Sequence, residues 1–165
     1  MKKLLISIVL ANLLVACASQ KPKEPEAVAP APAVEATAPA PAPMVAVDPL
    51  NDPASILAKR SVYFPFDVSA VQEADKPIVE AHGKYLSEHS DRIVRVEGNA
   101  DERGSNEYNL ALGQRRAESV KKMLELGGAK ASQIETVSYG EEKPVCTEHN
   151  EACWKQNRRS DIKYQ

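Results

Sequence analysis

The chain carries no excess of positive charge. It has 21 Lys and Arg against 23 Asp and Glu in 165 residues, a formal net charge of −2. Loss of residues 1–16, which include Lys2 and Lys3 and no acidic residue, would leave 19 basic against 23 acidic residues, a formal charge of −4. A basic surface for nucleic acid is therefore not indicated.

Residues for metal binding or nucleophilic catalysis are also scarce. The chain has three histidines, His82, His89 and His149, and no pair of ligands has the close spacing of a zinc site. Asp101 and Glu102 are adjacent, which is the wrong geometry for two acids that flank a glycosidic bond, so a glycosidase is the weaker alternative. We expect no enzymatic activity, no cofactor and no metal, and a half-buried position for His82.

The apolar run at residues 4–15 is too short for a transmembrane helix, which needs about 20 residues. With Lys2 and Lys3 before it, the run favours a signal peptide at residues 1–16. Its end, Leu14-Val15-Ala16-Cys17, resembles the bacterial lipobox, so we expect Cys17 to be acylated. An ordinary signal peptide with a chance cysteine is the alternative. Because Ala18 rather than Asp follows, the resemblance implies sorting to the outer membrane.

Residues 17–55 contain no aromatic side chain and few branched apolar ones. Such a segment cannot bury enough apolar surface to offset its ordering entropy, so we predict a flexible, lipidated tether. Its dense Ala/Pro alternation favours polyproline II and an extension of up to about 120 Å. A proline-rich ligand for a partner domain is the alternative.

Residues 56–165 have the periodicity of one α+β domain. Alternating apolar residues predict strands at 62–66, 93–98, 134–139 and 160–164, and helical spacing predicts helices at 74–88 and 106–126. The order β-α-β-α-β-β indicates a sandwich, with a mixed sheet and helices on one face.

The second predicted helix carries two adjacent arginines that face different ways. At about 100° per residue, its core stripe consists of Leu110, Gly113, Ala117, Val120 and Leu124. Arg115 then points away from the core. Arg116 lies at the rim of the buried face, near Leu112.

Asp101 lies in the loop that leads to the same helix, whose N-terminal N–H groups also favour anions. An acid and a guanidinium that face one groove suit a zwitterionic ligand, with Asp101 binding an ammonium and Arg116 a carboxylate. The alternative is that the two side chains pair with each other or cap helices.

Five motifs together resemble the OmpA-like peptidoglycan-binding domain, over about residues 60–165. They are Asn-Ala-Asp-Glu-Arg-Gly at 99–104, Glu-Tyr-Asn at 107–109, Leu-Gly-Gln-Arg-Arg-Ala at 112–117, Ser-Tyr-Gly-Glu-Glu-Lys-Pro at 138–144 and Asn-Arg-Arg at 157–159. The resemblance implies binding to diaminopimelate of the peptide stem. Its implied site consists of Asp101 and Arg116, Leu112 as an apolar wall, Phe66 and Asp67 as the opposite lip and, with weaker support, Asn99, the Ala100 backbone and Arg158.

The resemblance also implies partners. They are peptidoglycan, the outer membrane through the lipid, and the trans-envelope Tol proteins that include the β-propeller TolB. It further implies a role in outer-membrane integrity and cell division, with the domain in the periplasm.

Cys146 and Cys153 remain once Cys17 is assigned to the lipid, an even pair in an oxidising compartment. We expect a disulfide between them. The segment must then fold back, because positions seven apart on a straight helix lie about 10 Å from each other. Two free thiols, or Cys153 packed beside Trp154 in a short helix, are the alternatives.

Overall fold

The computed structural model describes residues 48–165. The predicted signal peptide, Cys17 and most of the predicted tether lie outside the described residues. The described part contains β1 Ser61–Tyr63, α1 Lys76–Glu88, β2 Val94–Asn99, α2 Asn106–Leu126, β3 Ile134–Gly140, α3 Glu151–Asn157 and β4 Arg159–Tyr164. Within residues 48–165, no helix is long and apolar enough to cross a membrane.

The strands form one sheet in the order β1-β4-β2-β3. β2 pairs in parallel with β3, and β4 pairs antiparallel with both β2 and β1. The parallel pair is joined through α2, because parallel neighbours need a long crossover connection. The predicted α+β fold with a mixed sheet is confirmed.

Both long helices cover the same face of this sheet. On that face the strands contribute Val62, Val94, Val96 and Ile162, which pack against Val79 and Leu86 of α1 and Ala117, Val120 and Leu124 of α2. The residues that alternate with them, Arg95 and Glu97, lie on the other face and are only partly buried. One face is thus covered and the other wet.

Helix α2 has the predicted bounds because its two ends are well specified. The Ser105 hydroxyl accepts a hydrogen bond from the N–H of Tyr108, and Gly128, with φ of 103°, follows the last turn. The helix lies directly on β2, since a Cβ on Gly98 would be only 1.9 Å from the Gly113 oxygen. This close approach brings the end of β2 next to the first turns of α2.

The predicted core stripe of α2 is wrong at one position. Leu110 is 47 % exposed, whereas Asn109 and Arg116 are fully buried. A wheel centred on apolar residues leaves Asn109 out of the stripe and places Arg116 only at its rim, although here both lie on the buried face.

Helix α3 is absent from the predicted order, because seven residues are too few to establish a helical period. A disulfide joins Cys146, before the helix, to Cys153 within it, with Cα atoms 5.1 Å apart. The chain folds back between the two cysteines and then begins α3. The disulfide and the short helix, treated as alternatives in the sequence analysis, therefore occur together.

The last residues of the predicted tether pack on the domain. Leu50 is buried against Leu57 and Tyr85, and its carbonyl accepts a hydrogen bond of 2.7 Å from Arg60. Asp48 lies 3.6 Å from Arg92. The described chain is thus attached to the domain before the predicted boundary at residue 56.

Candidate ligand-binding site

A cavity of about 260 Å³ lies where the end of β2, the first turns of α2, the loop after β1 and the start of β4 meet. Its wall consists of Phe66, Asp67, Asp101, Arg103, Gly104, Tyr108, Asn109, Leu112, Arg116 and Arg158. Six of the eight predicted site residues are thus brought together, whereas Asn99 and Ala100 are not in the wall.

Arg116 forms the buried base of the cavity, deeper than the rim position predicted from the helical wheel. Its Nε donates to the carbonyl of Val68 at 2.9 Å, Nη1 to that of Asn99 at 2.9 Å and Nη2 to that of Pro65 at 3.1 Å. Burial lowers the pKa of Arg116 to about 10, so the side chain stays charged at neutral pH. A guanidinium has five N–H groups, so two of them have no acceptor among the described residues.

Asp101 is almost fully buried and is already held by two arginines. Its Oδ2 accepts from Arg103 at 2.6 Å and from Arg158 at 3.1 Å, and its Oδ1 accepts from the Arg103 N–H at 3.1 Å. Burial alone would raise the pKa of Asp101, but these hydrogen bonds outweigh it and hold the pKa below its usual value. The carboxylate therefore stays ionised.

The predicted alternative, a direct pair between Asp101 and Arg116, does not occur. Asp101 uses Arg158 instead, a 4 % exposed side chain that also donates to the Phe64 carbonyl at 3.1 Å and to Glu151 at 2.6 Å. Arg158 thus ties the loop after β1 to α3 and fixes Asp101. Arg116 keeps its charge without an opposing carboxylate in contact.

Arg103 is held between two aromatic rings. Its guanidinium carbon lies 4.2 Å from the ring centre of Phe66 on one side and 4.2 Å from that of Trp154 on the other. Both distances are within the range of a cation–π contact. Phe66 forms one lip of the cavity and is 58 % exposed, so few other contacts hold it. The stack with Arg103 therefore holds this lip in place.

A polar cluster behind the stack fixes Trp154. The indole Nε1 donates to Glu102 at 2.6 Å, and the same carboxylate lies 2.7 Å from Nδ1 of His149. The hydrogen bond from His149 lowers the pKa of Glu102, and the pKa of His149 is raised in turn. The loop closed by the disulfide between Cys146 and Cys153, which carries His149, is thereby joined to the cavity lip.

The rest of the rim combines an acid with apolar surface. Asp67 has a positive φ of 55° and accepts a hydrogen bond from the Tyr108 hydroxyl. Leu112 is buried one turn before Arg116. The cavity therefore offers an apolar wall between its acidic and basic groups.

Asn99 acts from outside the cavity. Its carbonyl holds Arg116, while its side chain donates to the Glu97 carbonyl at 3.2 Å. The N–H of the neighbouring Ala100 is used in a hydrogen bond of 2.7 Å to Gly140. Both residues therefore support the site through the backbone.

Sequence reasoning missed four residues of the wall, namely Arg103, Gly104, Tyr108 and Asn109. Asn109, Leu112 and Arg116 follow the spacing i, i+3, i+7 of one helix face, and this signal would have added Asn109. Trp154, which supports the wall from behind, gives no such signal because its contacts depend on the fold of the disulfide loop.

The cavity has a formal charge of +1, from three arginines against Asp67 and Asp101. Such a site suits a ligand that carries both a carboxylate and an ammonium, with the carboxylate favoured near the buried Arg116. Among the described residues, no group of three or more His, Cys, Asp or Glu has the arrangement of a metal site.

The fold and this cavity define a class of protein, an α+β domain with a charged cavity between an acidic loop and a buried arginine. The model of the OmpA family matches residues 63–158. The chain belongs to this family, and the predicted resemblance is confirmed.

Within the family, the chain is similar to peptidoglycan-associated lipoproteins. It is 44 % identical to that of Pseudomonas aeruginosa over 119 residues, which cover 72 % of this chain and 70 % of the relative. It is 48 % identical to that of Pasteurella multocida over 104 residues, which cover 63 % and 69 % respectively. The crystal structure of the peptidoglycan-associated lipoprotein from Burkholderia pseudomallei has 55 % identity and a TM-score of 0.70, covering 72 % of this chain and all of that one. The C-terminal domain of Helicobacter pylori MotB, at 20 % identity and a TM-score of 0.60, shares the fold.

Proposed function

We propose that the chain is an outer-membrane lipoprotein that binds peptidoglycan non-covalently, through diaminopimelate of the peptide stem. The observation that carries the proposal is the buried, charged Arg116, which has no carboxylate partner and lies at the base of a cavity with an acid at its side. The names of the relatives, which describe lipoproteins associated with peptidoglycan, support peptidoglycan as the target.

The free end of diaminopimelate carries an amine and a carboxylate on one carbon, beyond a short methylene chain. Its carboxylate fits the two N–H groups of Arg116 that have no acceptor among the described residues. Its ammonium fits Asp67 and the remaining lone pair of Asp101, while Leu112 and Phe66 contact the methylenes. A cavity of about 260 Å³ is smaller than the roughly 300–1,000 Å³ of sites that enclose a drug-sized ligand, which agrees with capture of one end of a longer molecule.

The same proposal includes the membrane end of the chain. Residues 1–16 act as a signal peptide, Cys17 carries the lipid, and the tether between Cys17 and the packed segment that begins at Asp48 bridges the distance from the outer membrane to the cell wall. More than one acyl chain is needed for stable anchoring. In this function the protein is part of the Tol-Pal system, with TolB as a partner, and supports outer-membrane integrity and cell division.

Sedimentation with peptidoglycan sacculi tests the ligand. The full-length chain, purified in detergent, is compared with Asp101→Ala and Arg116→Ala, and we expect both variants to lose at least nine-tenths of the binding, about 1.4 kcal/mol. Phe66→Ala serves as a third variant, because Phe66 is largely exposed and its loss should leave the fold intact.

Arg115→Ala is the matched control, since Arg115 is the exposed neighbour of Arg116 on the same helix. Circular dichroism checks that each variant is folded. Full sedimentation of Asp101→Ala and Phe66→Ala would show that the cavity is not the binding site. Release of muropeptides by the wild-type protein would instead indicate an enzyme.

A further inference from the structure

A second groove, of about 620 Å³, adjoins the cavity. Phe66 and Arg158 line both, so the groove begins where the cavity ends. On its far side the groove reaches Tyr63 of β1 and Lys155 of α3. A ligand held in the cavity and extending past Phe66 would therefore lie along this groove.

The floor of the groove is unusually aromatic for this chain, in which aromatic residues make up 5 % of the sequence. Tyr63 is 45 % exposed and Phe66 58 % exposed, and both line it. Exposed aromatic side chains that lie next to each other are typical of surfaces that contact a ligand or a partner.

Lys155 is the positively charged residue of the groove that has no ion-pair partner within residues 48–165. It is exposed, and within residues 48–165 it has no acidic oxygen within ion-pair distance. The two acids of the groove are engaged: Glu151 pairs with Arg158 at 2.6 Å, and Asp75 accepts from the Tyr63 N–H at 3.0 Å. An anionic group in the groove would therefore meet the Lys155 ammonium.

We infer that this groove binds the residue of the peptide stem that precedes diaminopimelate, and that Lys155 binds the free carboxylate of that residue. The inference rests on the proposed function, because it requires diaminopimelate in the adjoining cavity. In stems of this type, the preceding residue is a D-glutamate linked through its side chain, so its α-carboxylate remains free unless it is amidated. Lys155 then distinguishes acidic from amidated stems.

Calorimetric titration of the full-length chain with three ligands tests the inference. The ligands are free meso-diaminopimelate, the tripeptide L-alanyl-γ-D-glutamyl-meso-diaminopimelate, and the same tripeptide with the D-glutamate α-carboxylate amidated. We expect Lys155→Ala to weaken binding of the acidic tripeptide about three- to fivefold, as for an exposed ion pair, and to leave free diaminopimelate and the amidated tripeptide unaffected.

Lys155→Arg should bind the acidic tripeptide as the wild type does, because it keeps the positive charge. Lys122→Ala is the matched control, because Lys122 is exposed on α2 and lines neither the cavity nor the groove. Tyr63→Ala should weaken binding of both tripeptides equally. An equal effect of Lys155→Ala on the acidic and amidated tripeptides, or no effect on either, overturns the inference while the proposed function stands. If the wild-type chain binds none of the three ligands, the proposed function fails as well.

Discussion

Arg116 holds its charge inside the domain without an ion-pair partner among the described residues. All three of its hydrogen bonds go to carbonyl oxygens, and its guanidinium lies 5.1 Å from the ring centre of Phe64. Carbonyl dipoles compensate part of the lost hydration, but they bring no negative charge. The side chain is thereby held in one orientation by three segments of the backbone.

Arg116→Lys tests this arrangement without a change of charge. A lysine ammonium is a compact group on a flexible stem and does not reproduce a planar fork that spans three carbonyls. We expect the free energy of unfolding to fall by about 3 kcal/mol, since buried carbonyls lose charged donors, and the affinity for the diaminopimelate tripeptide to fall at least tenfold. Chemical denaturation and calorimetry measure the two effects. Arg115→Lys should change neither quantity. An unaltered affinity in Arg116→Lys would contradict the proposed role of the planar guanidinium in ligand binding.

His82 is fully buried, deeper than the half-buried position predicted from the sequence. Its Nε2 lies 2.9 Å from the carbonyl of Lys59, so that nitrogen carries the proton, and Nδ1 accepts from the Tyr164 hydroxyl at 2.8 Å. Burial lowers the pKa of His82 from its ordinary 6.5, and the nearby Arg60 lowers it further. The folded state therefore keeps this side chain neutral.

A pH dependence of stability follows. Below about pH 6.5 the unfolded chain binds a proton at His82 that the folded chain resists, so the free energy of unfolding falls as the pH falls. Urea denaturation at pH 5, 6, 7 and 8 measures it. His82→Gln should flatten the dependence between pH 7 and 5, at some cost in stability. His149→Gln should steepen it, because the raised pKa of His149 contributes stability at low pH that is lost as the pH rises. A His82→Gln profile as steep as that of the wild type would contradict this assignment.

At the level of single residues, the sequence predicts the site residues that local spacing places together. It misses those whose position depends on contacts between distant segments. Asp101, Leu112 and Arg116 could be found because they lie in one loop and on one helix face. Arg103 could not, because its position between Phe66 and Trp154 requires contacts with two segments that are distant from it in the chain. The depth of Arg116 also depends on the loop after β1, which supplies two of its three carbonyls.

The short helix α3 is stabilised by its contacts with the preceding loop rather than by its own hydrogen bonds alone. A helix of seven residues is marginal by itself. The disulfide joins it to the preceding loop, and the Asn157 side chain accepts from the N–H groups of Val145 and Cys146 and donates to the Cys146 carbonyl at 2.7 Å. Since α3 carries Trp154 and leads into Arg158, these bonds also position one side of the cavity.

Removal of the disulfide should loosen this element. By loop entropy, the double variant Cys146→Ser/Cys153→Ser should lose about 2.5 kcal/mol of stability. Trp154 is the only tryptophan of the chain, so its fluorescence reports on the Arg103 stack. We expect its emission to shift to the red, together with a weaker affinity for the diaminopimelate tripeptide. A reductant should give the same shift in the wild type and none in the double variant. Unchanged fluorescence in the double variant would mean that the disulfide does not support the stack.

Among the elements, length decides what can be predicted from sequence. α2 has both a regular period and clear end signals, and its predicted bounds are confirmed. β1 covers only Ser61–Tyr63, whereas the alternating pattern extends to residue 66, because the chain leaves the sheet at Pro65. Strand order comes from pairings between distant segments, which no local pattern specifies.

In the whole domain, the cavity and the packed N-terminal segment lie at opposite ends of β2. Asp101 follows the C-terminal end of this strand, whereas Asp48 contacts Arg92, just before its N-terminal end. Leu50 packs beside Tyr164, which pairs with Val94, the first residue of β2. Six residues of strand separate the two ends by about 20 Å.

Leu50→Ala tests whether the two ends act independently. The variant removes apolar contacts with Leu57 and Tyr85, so we expect residues 48–59 to become more sensitive to limited proteolysis. The affinity for the diaminopimelate tripeptide should stay the same, because the cavity and this cluster have no residue in common. The double variant Leu50→Ala/Phe66→Ala should then show the summed effects of its single variants on the free energy of unfolding, within about 0.5 kcal/mol. A loss of affinity in Leu50→Ala alone would mean that the packing of the N-terminal segment is transmitted along the sheet to the ligand site.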